Sequence, residues 1–217
     1  MAIAFIDSCD GKSSVSVTTS AMDSTGADTI IVSVQTYNTT VPLTAISDSK
    51  SNAFVQLSHN DFGIYDQRIF LCRNPTVGGS HTFSFNTGGG SYAAVSAAAF
   101  SGVGILSAND YTNATSVSSV SAGPLTAKSN GSLFYFSIGA GSTVTQSSVS
   151  GGFTEITDIA FNPSVWMGLH TSYKIQSTAG SETPTATLSG TTNLNATLLM
   201  FDPLPPSGGG NVIVIEE

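Results

Sequence analysis

The chain has 217 residues, 40% of them hydrophobic and only 9% charged, against roughly a quarter charged in an ordinary soluble domain. Six Lys and Arg stand against fourteen Asp and Glu, a formal charge of −8, so no basic surface exists to neutralise phosphates and nucleic acid is not an expected partner. The longest apolar runs, such as residues 93–100, are about half of what a membrane helix needs, and the first ten residues lack the positive and apolar regions of a signal peptide, so neither a membrane nor an export route is expected.

Taken in chain order, the apolar runs are short, rich in Val, Ile, Phe, Tyr and Thr, and often alternating, which is the pattern of strands and not of helices. Strands are expected at about 3–7, 14–18, 29–37, 43–48, 54–59, 67–73, 81–86 and 92–100. More follow at about 115–121, 132–139, 144–150, 153–159, 166–175, 184–189 and 195–201. Gly78-Gly79, Gly88-Gly89-Gly90, Asn130-Gly131 and Gly151-Gly152 mark turns between them, because glycine tolerates positive φ. About fifteen strands are too many for one open sheet. The expected fold is all-β, a two-sheet antiparallel β-sandwich of jelly-roll type, with a Greek-key barrel or two tandem sandwiches as the other arrangements.

An internal repeat organises the chain. Residues 29–100 can be laid over 132–201, with Thr29-Ile30-Ile31-Val32 on Ser132-Leu133-Phe134-Tyr135, Phe54-Val55-Gln56-Leu57 on Phe153-Thr154-Glu155-Ile156, and Arg73 on Ile175. Both copies close on an alternating strand that ends in Phe100 or Phe201. Two copies are too few for a solenoid and imply a pseudo-two-fold arrangement. One sandwich domain is therefore expected over 1–202, followed at 203–217 by a Pro/Gly tether and a terminal β-prone segment. Four consecutive β-branched residues there, Val212, Ile213, Val214 and Ile215, predict an assembly strand that pairs with a neighbouring subunit's sheet edge, deletion of which should leave the domain folded.

The residues offer little chemistry. His59, His81 and His170 fall in different expected strands and read as surface or cross-strand histidines, and none of the many serines has a His and an acid placed beside it by sequence. No catalytic residue, cofactor or metal is therefore assigned. The acidic start, Asp7, Asp10, Asp23 and Asp28, fits no calcium-loop spacing and reads as turn-forming Asx. Cys9 and Cys72 read as buried thiols, with a disulfide as the alternative. A ligand could meet two places. Asp61 and Asp66 flank Phe62-Gly63-Ile64-Tyr65, where Tyr65 could stack on a sugar or the segment could be a plain hairpin tip; Trp166, the single tryptophan, reads as a core anchor or as a stacking platform for a pyranose ring.

The run Leu71-Cys72-Arg73-Asn74-Pro75-Thr76-Val77-Gly78-Gly79-Ser80-His81-Thr82-Phe83-Ser84-Phe85, followed by the alternating strand from Tyr92 to Phe100 and Ser101-Gly102-Val103, resembles a β-sandwich domain of tailed-bacteriophage virion surface proteins. Ser47-Asp48-Ser49-Lys50-Ser51-Asn52 resembles the hairpin before that region, with Ser51 where Gly is more usual, and the closing Gly-Gly-Gly-Asn-Val-Ile-Val-Ile-Glu-Glu is similar to the tails of such proteins. The resemblance implies a non-enzymatic virion structural protein, made in the host cytoplasm, acting as a capsid decoration or cement protein or a fibre component. It implies capsid or tail proteins of the same virion as partners and a homo-oligomer, with a glycan- or receptor-binding adhesin that touches host surface glycans as the alternative.

Overall fold

A computed structural model describes residues 1–14, 16–37, 46–87, 92–161 and 166–205, and among these there is no helix. The expected strand over 43–48 is therefore seen only from residue 46, and the glycine turn at 88–90, the Asn162-Pro163-Ser164-Val165 segment and the Val212–Ile215 strand lie outside the described residues. The first half of the chain forms β1 (Ala4–Ser13), β2 (Ser16–Thr18), β3 (Thr29–Tyr37), β4 (Ser47–Asp48), β5 (Val55–Phe62), β6 (Tyr65–Arg73), β7 (Phe83–Asn86) and β8 (Tyr92–Ser101). The second half forms β9 (Val103–Ser121), β10 (Leu125–Ala127), β11 (Leu133–Ala140), β12 (Gln146–Val149), β13 (Thr154–Ala160), β14 (Gly168–Ile175), β15 (Gly180–Glu182) and β16 (Thr185–Pro203). The pairings are antiparallel throughout.

Two large sheets share one strand order. The first runs β1-β8-β3-β6-β5, and the second runs β9-β16-β11-β14-β13. A small sheet β2-β7-β4 belongs to the first half. Its counterpart in the second half is built from the first residues of β16, which pair with the end of β9 (Ser121 opposite Thr185) on one side and with β12 (Val149 opposite Ala186) on the other. β9 and β16 thus each run as one 19-residue strand where the sequence suggests shorter pieces, and the register shifts between Thr187 and Leu194 let them pass from the small sheet to the large one.

The register fixes the correspondence residue by residue. Thr29 lies opposite Phe100 and Arg73, and Leu133 lies opposite Phe201 and Ile175. Thr29 therefore corresponds to Leu133, one residue on from the alignment with Ser132 that the sequence suggests. In strands buried on both faces the side-chain pattern does not alternate, so a slip of one is invisible in sequence although it would turn every side chain to the other face. On β5 and β13 the sequence alignment and the register agree: Val55 faces Leu71 as Thr154 faces Tyr173, and each strand bulges at the next step, at Leu57 and at Ile156.

Buried apolar clusters hold the sheets together. Ile30, Val32, Val34, Phe70 and Ala93, Ala97 and Ala99 of β8 pack outward against Val17, Phe83 and Phe85 of the small sheet. Phe134, Phe136, Ile138, Ala196 and Leu198 do the same in the second half against Val120, Leu125, Val144 and Leu188. The two large sheets meet in the middle on Ile31, Ile69, Leu71, Phe100, Leu133, Tyr135, Leu199 and Phe201. β11 is consequently buried along its whole length and β3 as far as Thr36, as their unbroken apolar runs require. Each such large side chain removed from water contributes about 1.5–3 kcal/mol.

The middle seam is reciprocal: β3 meets β14 as β6 meets β11, and β8 meets β13 as β5 meets β16. One end is apolar, and the other is a hydroxyl and amide layer. Ser33 Oγ and Tyr135 Oη lie 3.0 Å apart, Ser96 Oγ lies 2.9 Å from both Thr157 Oγ1 and Thr171 Oγ1, Gln67 donates to Ser137 Oγ at 3.2 Å, and Thr197 donates to Gln67 Oε1 at 2.8 Å. Complete burial pushes the Tyr135 phenol up to about 12, against hydrogen bonds from Ser33, Thr171 and Ser96 that work the other way.

Candidate functional site

The described histidines all lie beside aspartates. His59 Nε2 is 3.1 Å from Asp66 Oδ1 across the β5–β6 hairpin, His170 Nδ1 is 2.5 Å from Asp158 Oδ1 across β13–β14, and His81 Nε2 is 2.8 Å from Asp48 Oδ2. His81 Nδ1 is also 2.8 Å from Ser24 Oγ. Sequence reading misses this Ser–His–Asp constellation, since Ser24, Asp48 and His81 are scattered through the first half and no local spacing announces them.

The constellation is a brace. An ionised carboxylate only accepts, so His81 Nε2–H donates to Asp48 and leaves Nδ1 to the Ser24 hydroxyl. Ser24 Oγ in turn accepts from Gly78 N–H at 3.1 Å and its own N–H donates to Gly78 O at 3.2 Å. Asp48 Oδ1 accepts from the Lys50 and Asn52 backbone N–H groups at 3.1 and 2.9 Å, and Oδ2 accepts from Asn52 Nδ2 at 2.7 Å. Asn52 clamps Thr76 through both backbone groups, at 2.6 and 3.0 Å. Ser51 is held at a φ of 62°, the left-handed conformation that explains why glycine would be at home there. Burial works to raise the Asp48 carboxyl, yet the Asn52 and His81 hydrogen bonds outweigh it and hold the group below the usual carboxylate range. The three side chains are closed to solvent, so no substrate carbonyl can approach the hydroxyl, and each polar atom already has work to do in joining residues 47–52 to 74–81.

The other candidates separate. Gly63, at a φ of 70°, turns the hairpin that brings Asp61 opposite Asp66. Asp66 is buried in a pair with Arg68 at 3.1 Å, which leaves Asp61 as the exposed carboxylate of the loop. Tyr65 is not a free platform: its hydroxyl donates to Gly141 O at 3.1 Å across the middle seam, its ring packs on Tyr37, and desolvation followed by Tyr37 raises the phenol. Trp166 corrects the core-anchor reading. It lies before the first residue of β14 and is 64% exposed, because burial in this region is supplied by Met167 and Leu169 instead.

Asp7, Asp23 and Asp28 spend their oxygens on backbone N–H groups of Ser8, Asp23, Thr25 and Gly102, and among the described residues no group of three or more His, Cys, Asp or Glu is arranged to hold a metal. Cys9 and Cys72 are free and buried on the outward face of the first large sheet, so the disulfide alternative falls. Burial raises the Cys9 thiol to about 11, opposed by its contact with Thr19.

A feature without an internal role among the described residues is the β9 edge. Among the described residues β9 pairs only with β16. From Ala108 to Ala114 it runs seven residues without a register shift, carrying one charge, Asp110, whose carboxylate already accepts from Gly123 N–H at 2.7 Å. Ile105 and Tyr111 on this strand are 73% and 64% exposed. Beside Ile105 opens a cavity of about 670 Å³, mostly apolar, bordered by Arg73, Val103, Asp202, Leu204 and Pro205. Compared with known proteins, the chain matches no family pattern and no curated sequence.

Proposed function

We propose that this chain is a virion structural protein of a tailed bacteriophage, a capsid decoration or cement protein or a fibre component, which works by assembly and not by turnover. The observation that carries the reading is β9, a long edge strand with almost no charge and exposed apolar side chains, on a domain whose buried Ser24–His81–Asp48 constellation is committed to bracing loops. Soluble monomers guard such edges with lysine, proline or bulges, and an unguarded edge suits a surface meant to be covered. The likeness of residues 71–103 to phage surface domains supplies the setting, with capsid or tail proteins of the same virion and further copies of this chain as partners.

Exposed Trp166 favours a second role as a glycan- or receptor-binding adhesin, which a surface sandwich can combine with the first. The test is the copy number of the chain in purified particles of the virus that encodes it, by quantitative mass spectrometry. Hundreds of copies are expected for decoration and a handful for a fibre or tail tip, while absence from particles would overturn the proposal.

A further inference from the structure

We infer that the free edge of β9, over residues 108–114, is the receptor for residues 211–217 of a second copy of this chain. This deepens the assembly reading above and rests on it. Three observations carry it. The first is the edge itself, seven residues in unbroken register whose outward backbone groups have no partner among the described residues. The second is a face that stays exposed among the described residues. Asn109, Tyr111 and Asn113 lie opposite Leu199, Thr197 and Asn195, all of which face the first large sheet. They share that face, yet β5 lies over β16 and stops short of them, so the middle seam continues onto β9 as an exposed ledge.

The third is the length and position of the chain that follows. Described pairing ends at Pro203, opposite Val103, with Leu204 N–H on Gly102 O, at the Ile105 end of β9. Thirteen residues follow Leu204, and among them Asn211-Val212-Ile213-Val214-Ile215-Glu216-Glu217 has the strand propensity to pair along an edge of this length. Antiparallel addition, the stronger pairing, requires residue 211 at the Ala114 end. That lies about 30 Å along the strand from Ile105, whereas the span from Pro205 to residue 211 reaches at most about 21 Å. A chain cannot serve its own β9 this way, so the strand comes from a neighbour. Donor and receptor differ on each copy, and the contact is head-to-tail and builds rings or chains of subunits.

The test uses full-length protein. Its mass in solution, followed by light scattering across a concentration series, should exceed that of a monomer. Deleting residues 206–217, or changing both exposed asparagines by Asn109→Lys and Asn113→Lys, should each weaken association at least about tenfold, with the thermal melt of each variant nearly unchanged. A synthetic Asn-Val-Ile-Val-Ile-Glu-Glu peptide should bind the tail-deleted chain and not its lysine double variant. Mixing a Tyr111→Cys chain with a Val214→Cys chain under oxidation should give a disulfide-linked pair between chains, whereas a doubly substituted chain closing on itself would overturn the neighbour assignment. Assembly that survives the deletion, or survives the lysines while requiring the tail, would overturn the edge assignment. Neither result bears on whether the chain is found in particles, which the copy-number measurement decides alone.

Discussion

The β1 and β9 edges hold equivalent places in the two halves and are used in opposite ways. β1 flanks β8 as β9 flanks β16. β1, however, is closed over by the other half: Phe5 stacks on Tyr173 with ring centroids 4.9 Å apart, and Lys12 Nζ donates to Ala160 O at 2.5 Å and lies 5.5 Å from the Phe161 ring centre. It also carries Asp7, Asp10 and a bulge between Phe5 and Asp7. β9 has none of these over residues 108–114 except Asp110. A pseudo-symmetric pair of units buries the same inner strands twice, and can still keep one edge closed for the domain while leaving the other for a partner.

The comparison breaks most easily at the seam both halves share. Phe100 and Phe201 end equivalent strands and are fully buried there. Phe100→Ala and Phe201→Ala should each cost about 3–5 kcal/mol and by similar amounts, measured by urea unfolding. A gap of more than about 2 kcal/mol between them would mean that one half depends on the seam and the other does not.

A smaller effect separates the braces. Asp48 in the first half and Asp158 in the second are both held below the usual carboxylate range, burial notwithstanding: Asp48 by Asn52 and His81, Asp158 by His170 and the Gln146 N–H. A depressed carboxyl gives stability that is present above its unfolded value, about 3.9, and is lost as pH falls through the lower folded one. Melts from pH 7 down should therefore lose stability once pH drops below about 4, and Asp48→Asn, costing about 2–3 kcal/mol at neutral pH, should flatten part of that acid limb. An unchanged limb would show that Asp158 alone carries it.

Gln35 and Gly139 mark where the halves differ inside the seam. They occupy equivalent positions, and the Gln35 amide fills the space a side chain at 139 would take, near Asn195. Neither amide atom of Gln35 has a hydrogen-bond partner among the described residues. A buried amide without partners opposes folding, so Gln35→Met should be neutral or stabilise by about 1 kcal/mol. Loss of stability would instead show that Gln35 bonds an ordered water.

Much of this was legible in sequence. β3, the hairpin around Gly63 and the correspondence of Leu57 with Ile156 follow from apolar runs and turn residues. What escaped did so for physical reasons. β9 alternates between Ala108, Thr112 and Ala114 on the face toward the small sheet of its own half and Asn109 and Asn113 on the face toward the first large sheet, so its period carries little hydrophobic contrast. The Ser24–His81–Asp48 brace needs the fold to bring its members together. Its one local trace was Ser51, a residue standing where left-handed backbone favours glycine. For Trp166 the sequence leaves core anchor and exposed platform both open, and the ring is exposed because its neighbours, Met167 and Leu169, are the ones that face inward.

Trp166 gives the smallest effect on folding and the sharpest test of the second functional reading. An exposed side chain with no partner in the core contributes little, so Trp166→Ala should leave the melt within about 0.5 kcal/mol. As the single tryptophan it reports on itself: its fluorescence should resemble that of the free amino acid and be quenched readily by acrylamide. An adhesin that stacks a pyranose on this ring would shield it, so the matching glycan should reduce quenching and shift the emission to shorter wavelength, and both changes should vanish in a glycan-array comparison with Trp166→Ala. Binding that persists in the variant would move the glycan site elsewhere. A tryptophan protected from acrylamide in free, dilute protein would show that the ring is covered by another copy of the chain, which adds a second contact surface to the β9 edge.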